Sequence, residues 1–290
     1  MTHHPDLLVG IDGGGTSCRA ALIIGGARFE ARGGPANAMR FDEAIRSITD
    51  ALARLAQVAG VDAGQMAAAR IHAGLAGVMT PADAARVAAA LPCRHVTVTD
   101  DQPTTVAGAL GAETGAVAAI GTGSFVGRQT DTGIRVLGGW GLPIGDQASG
   151  ARLGRRLLEE TMLAIDGLRP HTGLTLEVLR DHADSPAEIV YFSAAATATD
   201  LAALAPRVVA AAGAGDATAA ALMAEGAAYI AACLSVLGHQ PGEPLCLLGG
   251  VGPAYARWLD PRIAADLRAA RGTALDGALA LAARQGEGTA

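Results

Sequence analysis

The strongest constraint on the fold is a glycine-rich turn near the start of the chain. Residues 7–11 read LLVGI, an apolar run typical of a buried strand, and an aspartate and three consecutive glycines follow it. A second apolar run, RAALII at 19–24, begins shortly after the turn, and ARFEA at 27–31 continues the pattern. The segment therefore predicts an antiparallel meander whose first turn consists largely of glycines and exposes its main chain.

The same pattern returns twice. AVAAIGTGSFVGRQ at 116–129 is again an apolar run, a glycine and hydroxyl turn and a second strand-like run, and EPLCLLGGVG at 243–252 ends a third apolar run in glycines. Between them, apolar spacing predicts a helix over 41–59, a strand from 70 and a strand over 95–101 that ends in two aspartates. We therefore expect an α/β protein built from two similar halves.

Charge and cysteine usage exclude several classes of protein. The formal net charge of −6 is spread along the chain without a basic run, so nucleic acid and anionic membranes are not expected partners. No charge-free apolar stretch reaches the roughly 20 residues of a membrane helix, and the initial MTHHPD is unlike a signal peptide. We expect a cytoplasmic protein with a small-molecule partner. Neither a zinc site nor a disulfide framework is expected from the spacing of Cys18, Cys93, Cys233 and Cys246.

The first two turns are candidate phosphate-binding sites. Glycine has no Cβ, so consecutive glycines let backbone N–H groups approach an anion, and neighbouring hydroxyls add donors. A P-loop is excluded because its lysine and following helix are missing, but Asp12 could hold a hydrated Mg²⁺ beside the phosphates. A plain hairpin turn with Asp12 as turn former explains the first site equally well. The candidate ligands are Gly13, Gly14, Gly15, Thr16 and Ser17, then Gly121, Thr122, Gly123 and Ser124.

A set of motifs in a fixed order resembles one known family. The chain is similar to the BadF/BadG/BcrA/BcrD-type ATPases and, within them, to bacterial N-acetylglucosamine and glucosamine kinases of the sugar kinase, Hsp70 and actin superfamily. The resemblance runs nearly from end to end and is specific as a set, although each motif alone is weak. The motifs are DGGGTSCRAAL, GGPANA, AGLAG, DDQPTTVAGALGA, GTGSFVGR, GGWGLPIGDQASGARLG, AGAGDATA, LLGGVG and GTALDGALALA.

The resemblance implies a fold and a division of the chain. Two ribonuclease-H-like domains of the actin-like ATPase type are expected, with a cleft for nucleotide and sugar between them. The first would cover residues 1–112, with the C-terminal helix 273–285 packed on it, and the second 113–272 with a helical insertion. Relatives also imply a homodimer.

The resemblance also implies roles for particular residues. ATP would be held by the first two turns and its adenosine by Gly249, Gly250 and Val251. Asp101 would be the base that accepts the proton of the phosphorylated hydroxyl. Asp100 would point to the opposite face, because successive strand residues alternate; the alternative is that both aspartates cap the following helix.

The sugar ligands implied by the resemblance are Asn37, Gly74, Asp101, Trp140 and Asp146. Each has a plainer explanation: Asn37 as a turn residue after Pro35, Gly74 as a strand-end turn and Trp140 as a core residue. Relatives often carry an acidic residue and a glycine where this chain has Gln147 and Ala148. This difference leaves open whether the sugar carries an amine or an acetamide at C2.

The hypothesis is therefore an ATP- and Mg²⁺-dependent kinase that phosphorylates the 6-hydroxyl of glucosamine or N-acetylglucosamine. A kinase for another hexose derivative is an alternative. An ATPase that activates 2-hydroxyacyl-CoA dehydratases is another, but it needs paired cysteines that face an interface for a shared iron–sulfur cluster. A sugar-sensing repressor would need a helix-turn-helix segment before the first strand, where this sequence has six residues.

Overall fold

The computed structural model describes residues 7–285. Two compact units divide the chain. One unit comprises the segment up to Glu113, Gln129–Ile134 and the segment from Ala270 onward, and the other comprises Thr114–Arg128 and Arg135–Ala269.

Within the described residues there are nine strands, twelve α-helices and one short 3-10 helix (Gly252–Tyr255); the strands and α-helices are numbered here in chain order. The strands are β1 Leu8–Gly13, β2 Cys18–Ile24, β3 Ala27–Gly33, β4 Arg70–Leu75, β5 His95–Thr99, β6 Gly115–Ile120, β7 Ser124–Thr130, β8 Gly133–Gly138 and β9 Leu245–Leu248. The helices are α1 Phe41–Ala59, α2 Ala63–Ala68, α3 Pro81–Ala90, α4 Asp101–Leu110, α5 Gly150–Ile165, α6 Gly173–Asp181, α7 Pro186–Ala195, α8 Ala198–Ala202, α9 Ala205–Gly213, α10 Ala217–Leu237, α11 Pro261–Ala264 and α12 Ala274–Arg284.

The first unit is built on a five-stranded sheet in the order β3-β2-β1-β4-β5. The strands β1, β2 and β3 form the predicted antiparallel meander, and β4 and β5 add to it parallel to β1. The two faces of β2 differ in their partners: Ala20 and Leu22 lie in the core with α1, whereas Ala21 contacts Leu275 and Leu279 of α12. The sheet is therefore covered by helices on both faces.

The second unit repeats the plan with one strand fewer. Its sheet has the order β8-β7-β6-β9, and β6 and β9 are parallel. Its core is largely helical, with Leu157 of α5, Val208 of α9 and Ile230 of α10 among the fully buried side chains. The predicted similarity of the two halves is thus present in the strand order.

Helix α10 is long and apolar enough, by length and composition alone, to cross a membrane. An 18-residue window of this helix has a mean hydropathy of 1.7, but Leu222, Met223 and Ile230 lie in the core of the second unit. The packing of α10 in this core therefore accounts for part of its apolar composition.

Helices α4 and α12 approach each other at backbone distance because glycines lie at the crossing. An ideal Cβ on Gly277 would lie 1.9 Å from the carbonyl oxygen of Thr104, and one on Gly108 would lie 1.8 Å from that of Thr273. No side chain fits either position unless the helices separate.

We expect Gly277→Ala to destabilise the protein by about 1–3 kcal/mol, because the added methyl group meets main-chain atoms that cannot turn away. Urea unfolding measures the change. The control is Gly213→Ala near the end of α9, where a Cβ would meet only the flexible side chain of Arg257 at 3.6 Å. An equal loss in both variants would contradict the backbone clash as the cause.

Candidate active site

The first glycine turn joins β1 to β2 and presents bare backbone to solvent. Gly15, Thr16 and Ser17 are exposed, and nothing lies within 4 Å of an ideal Cβ on Gly15. The turn is closed by a hydrogen bond from the Gly14 N–H to the Ser17 carbonyl, 3.0 Å long. Gly13 is different, since a Cβ there would lie 2.5 Å from Leu75. The open part of the turn is suited to bind an anion through main-chain amides.

Asp12, the residue before the end of β1, lies beside this turn and forms an ion pair with Arg19 on β2. Its Oδ2 accepts hydrogen bonds from Nε of Arg19 at 3.1 Å and from Nη2 at 2.5 Å. Within residues 7–285 no three His, Cys, Asp or Glu side chains are grouped to hold a metal ion directly. One carboxylate beside exposed amides fits a Mg²⁺ ion held through water and substrate phosphates, which is how proteins usually bind this ion.

The register of the parallel strands brings three predicted regions to one edge of the sheet. Asp12 on β1 is paired with Gly74 on β4, and Gly74 is paired with Thr99 on β5. Strands lie about 4.8 Å apart, so the end of β5 lies roughly 10 Å from Asp12. The aspartates after β5 and the first glycine turn therefore share this edge.

The strand predicted to run through both aspartates ends at Thr99, so the expected alternation of Asp100 and Asp101 across two faces is wrong. Asp100 is the N-cap of α4, and its Oδ1 accepts a hydrogen bond from the Asp101 N–H at 2.8 Å. Asp101 is the first helical residue. The helix begins here because Asp100 satisfies one of the amides that a helix start leaves unpaired.

The two carboxyl groups influence each other. Burial, a hydrogen bond with the Asp101 carboxyl and the charge of Asp101 together raise the pKa of Asp100 to about 7. A carboxyl group with a pKa near 7, such as that of Asp100, is suited to general base chemistry near neutral pH.

Asn37 and Gly74 both have local structural roles. Asn37 Oδ1 accepts a hydrogen bond from the Met39 N–H at 2.9 Å. The same oxygen would lie only 2.4 Å from a Cβ on Gly77, so it packs against that glycine. A Cβ on Gly74 would lie 2.4 Å from Thr104 Oγ1. Gly74 therefore allows α4 to approach β4, and its predicted contact with sugar stays a prediction, as does that of Asn37.

The second glycine turn is less exposed to solvent than the first. Thr122 is exposed, but Ser124 is buried: its hydroxyl donates to the Gln147 carbonyl and its N–H to Asp146 Oδ1 at 3.4 Å. The Ser124 hydroxyl and N–H thus hold the loop in this structure, and the expected role of Ser124 as a phosphate ligand stays a prediction. Asp146 lies against the turn, since a Cβ on Gly123 would be 3.0 Å from its Oδ2.

The third turn lies directly against the second, within the second unit. A Cβ on Gly249 would lie 2.3 Å from the Ile120 carbonyl oxygen, and the Val251 N–H donates to that same oxygen at 3.0 Å. Val251 is buried, whereas Gly250 is exposed with nothing within 4 Å of an ideal Cβ. The open surface that could face a nucleoside is therefore centred on Gly250.

The loop between β8 and α5 has an unusual backbone. Asp146 and Ala148 have φ values of 56° and 68°, a region that residues other than glycine rarely adopt. The Tyr255 hydroxyl donates to the Ala148 carbonyl at 2.8 Å, which helps to hold this conformation. Trp140, in the same loop, is 66% exposed, so it is not a core residue. Strained backbone of this kind often occurs at ligand sites.

Two residues of this region were not predicted from the sequence. Arg19 lies opposite Asp12, and strand pairing across the first turn would have indicated that contact. His72 is a buried polar residue in an otherwise apolar strand, and its Nε2 lies 3.1 Å from Thr99 Oγ1. The signal for His72 was its position within an apolar run, but only the fold shows which residue it contacts.

Two sheets of related strand order, each with a glycine turn after its first strand, define an α/β protein of the actin-like ATPase type, as predicted. The chain belongs to the BadF/BadG/BcrA/BcrD ATPase family, whose model matches residues 9–262.

Individual relatives agree with this assignment. The chain is 35% identical over 280 residues to glucosamine kinase GspK from Vibrio cholerae, covering 95% of each chain. A crystal structure assigned as an N-acetylglucosamine kinase, from Chromobacterium violaceum, has a TM-score of 0.79 and 33% identity, with 96% of this chain and 99% of that chain covered. A second such structure, from Porphyromonas gingivalis, shares the fold with a TM-score of 0.64 at 21% identity, covering 97% and 99% of the two chains.

We expect Asp100→Asn to stabilise the protein increasingly as pH rises from about 4 to about 7. The raised pKa means that folded Asp100 keeps a proton which the unfolded chain releases in this range, so the wild type loses stability as pH increases. Asparagine has no such dependence. Urea unfolding of both proteins at pH 5, 6, 7 and 8 measures the difference.

The matched control is Asp83→Asn in α3. Hydrogen bonds from Thr80 lower the pKa of this exposed carboxyl, so its contribution is lost only as pH falls below the ordinary range for aspartate. The stability difference for Asp83→Asn should be flat between pH 5 and 8. A flat difference for Asp100→Asn as well would show that its carboxyl is ionised throughout.

Proposed function

We propose that this chain is an ATP-dependent sugar kinase that transfers the γ-phosphate of ATP to the 6-hydroxyl of glucosamine or N-acetylglucosamine. Membership of an ATPase family and 35% identity to a glucosamine kinase over nearly the whole chain support the class of reaction and an amino sugar as substrate. The 6-hydroxyl and the sites of binding come from the resemblance and from the arrangement of side chains.

One observation carries the proposal. The carboxyl pair Asp100–Asp101 and the open glycine turn after Asp12 lie at the same edge of one sheet, about 10 Å apart by strand spacing. Phosphoryl transfer needs an anion site and a proton acceptor separated by room for the reacting groups. This edge supplies both on rigid elements.

The reaction follows from these groups. The 6-hydroxyl oxygen attacks the γ-phosphorus, the bond from that phosphorus to the bridging oxygen breaks, and ADP leaves. Asp101 accepts the hydroxyl proton, and Asp100, whose pKa is raised to about 7, carries less negative charge beside it than an ordinary aspartate. The main-chain amides of Gly15, Thr16 and Ser17 bind the phosphates. Because transfer is mainly a matter of position and charge, these contacts account for most of what the protein must do.

Asp12 is the residue that would hold Mg²⁺ through water. When bound, the ion would neutralise charge on the triphosphate. Arg19 keeps the Asp12 carboxylate oriented and adds a positive charge next to the turn.

The sugar ligands we propose besides Asp101 are Asn37, Trp140 and Asp146. Asp146 is 7% exposed and bound to Ser124, so it can offer a fixed oxygen to a sugar hydroxyl. Trp140 offers an exposed indole face of the kind that stacks on a pyranose. Substrate tests decide whether the sugar carries an amine or an acetamide at C2.

The activator alternative is less well supported by the thiols. Cys18, Cys233 and Cys246 are buried and Cys93 is partly buried. Burial raises the pKa of Cys18 and Cys93, which disfavours the thiolates that bind iron. The expected homodimer remains a prediction.

ADP release measured with a panel of glucosamine, N-acetylglucosamine, glucose and other hexoses tests the function. We expect one amino sugar to give the highest kcat/KM, and NMR of the product should show the phosphate on O6. Equal ADP release with and without every sugar would overturn the proposal, and a preference for glucose would move the substrate to another hexose.

Asp101→Asn should lower kcat by about 10²- to 10⁴-fold, the usual contribution of a general base, while the Kd for ATP changes less than about twofold. Steady-state kinetics and calorimetry measure the two quantities. Asp131→Asn, in the exposed turn after β7, is the control and should match the wild type.

A fully active Asp101→Asn variant would remove Asp101 from the role of base. If Asp100→Asn were then inactive, the base would be Asp100 and the kinase assignment would stand.

A further inference from the structure

The turn between β5 and α4 is held by a chain of hydrogen bonds that begins in the core. His72 is 4% exposed, and its Nε2 lies 3.1 Å from Thr99 Oγ1. The Thr99 hydroxyl donates to the Asp100 carbonyl at 2.8 Å. The chain therefore runs from a buried ring to the main chain of the proposed catalytic pair.

The direction of these bonds determines the state of the ring. A hydroxyl has one proton, and that of Thr99 is donated to Asp100, so Thr99 must accept from His72. Nε2 thus carries a proton. Burial lowers the pKa of His72 to about 4, so the ring is neutral, with this one tautomer, at physiological pH.

The peptide between the two aspartates is held at both ends. Its oxygen, on Asp100, accepts from Thr99, and its N–H, on Asp101, donates to Asp100 Oδ1 at 2.8 Å. Because a peptide is planar, two bonds of this kind fix the orientation of the plane.

The next peptide is fixed as well. The Asp101 carbonyl accepts from the hydroxyls of Thr104 at 2.8 Å and Thr105 at 2.9 Å. Gly74 leaves the space that Thr104 occupies. With a fixed plane on each side of its Cα, Asp101 has a defined direction for its Cα–Cβ bond, from which the carboxylate extends.

We propose that His72 and Thr99 are positioning residues, which aim the Asp101 carboxylate at the acceptor hydroxyl by fixing the Asp100–Asp101 peptide. This inference rests on the proposed function and adds two residues that do not touch substrate. Small errors of position at a reacting group have large effects on rate, so the contribution should be seen in kcat.

Thr99→Val removes the hydroxyl and keeps the shape, and Thr99→Ser keeps the hydroxyl. We expect Thr99→Val to lower kcat about 10- to 100-fold with the Kd for ATP unchanged, and Thr99→Ser to remain within about threefold of the wild type. Thr97→Val, two residues earlier on the same strand and exposed, is the control and should be fully active.

His72→Leu should lower kcat by a similar factor, and the double variant with Thr99→Val should be no worse than either single one, since both act through one chain. Urea unfolding separates this effect from a general loss of stability. A kcat within twofold of the wild type for Thr99→Val, or an equal loss for Thr99→Ser, would overturn the inference.

A crystal structure of Thr99→Val tests the inference without the reaction. A rotated Asp100–Asp101 peptide supports it, and an unchanged peptide and carboxylate overturn it. Failure of the wild type to phosphorylate any sugar would instead overturn the proposed function and leave this structural test to decide the role of Thr99.

Discussion

The parallel pairing of β1, β4 and β5 is the constraint on which the rest of the candidate site depends. Residues far apart in sequence come to one edge because the register places Asp12, Gly74 and Thr99 side by side. The end of each strand then leads into a different functional segment: a glycine turn after β1, a loop after β4 and a helix start after β5. A shift of one residue in the register would turn these side chains to the opposite face of the sheet.

The glycines of the motifs have two different physical functions. A Cβ on Gly74, Gly249 or Gly277 would collide with a threonine side chain or a carbonyl oxygen, so these glycines let elements approach closely. Gly15 and Gly250 face open space and leave main-chain groups free for a ligand. A glycine in these motifs can therefore serve either packing or ligand binding, and the atoms that surround it in the fold determine which of the two it serves.

Much of the fold could be predicted because it follows from local patterns. The helix over 41–59 has the predicted bounds, since its apolar side chains recur at helical spacing and Gly60 ends it in a left-handed conformation. The turn before α4 could not be predicted in detail. An aspartate after a strand may extend the strand or cap a helix, and Asp100 caps α4 because its carboxylate reaches the Asp101 N–H. The hydrogen bond of Ser124 could not be predicted for a similar reason, as its partner Gln147 lies 23 residues away.

The sequence alone determined the two repeated strand-and-turn units, the family and the residue types available for phosphate and proton chemistry. These properties depend on order and spacing along the chain. The tertiary structure decided which groups are open and which are used internally: the pairing of Asp12 with Arg19, the burial of Ser124 and the contact of His72 with Thr99. These depend on distances between strands and helices that are remote in sequence. Hydrogen bonds and burial act over a few ångströms in space, and no spacing along the chain specifies them.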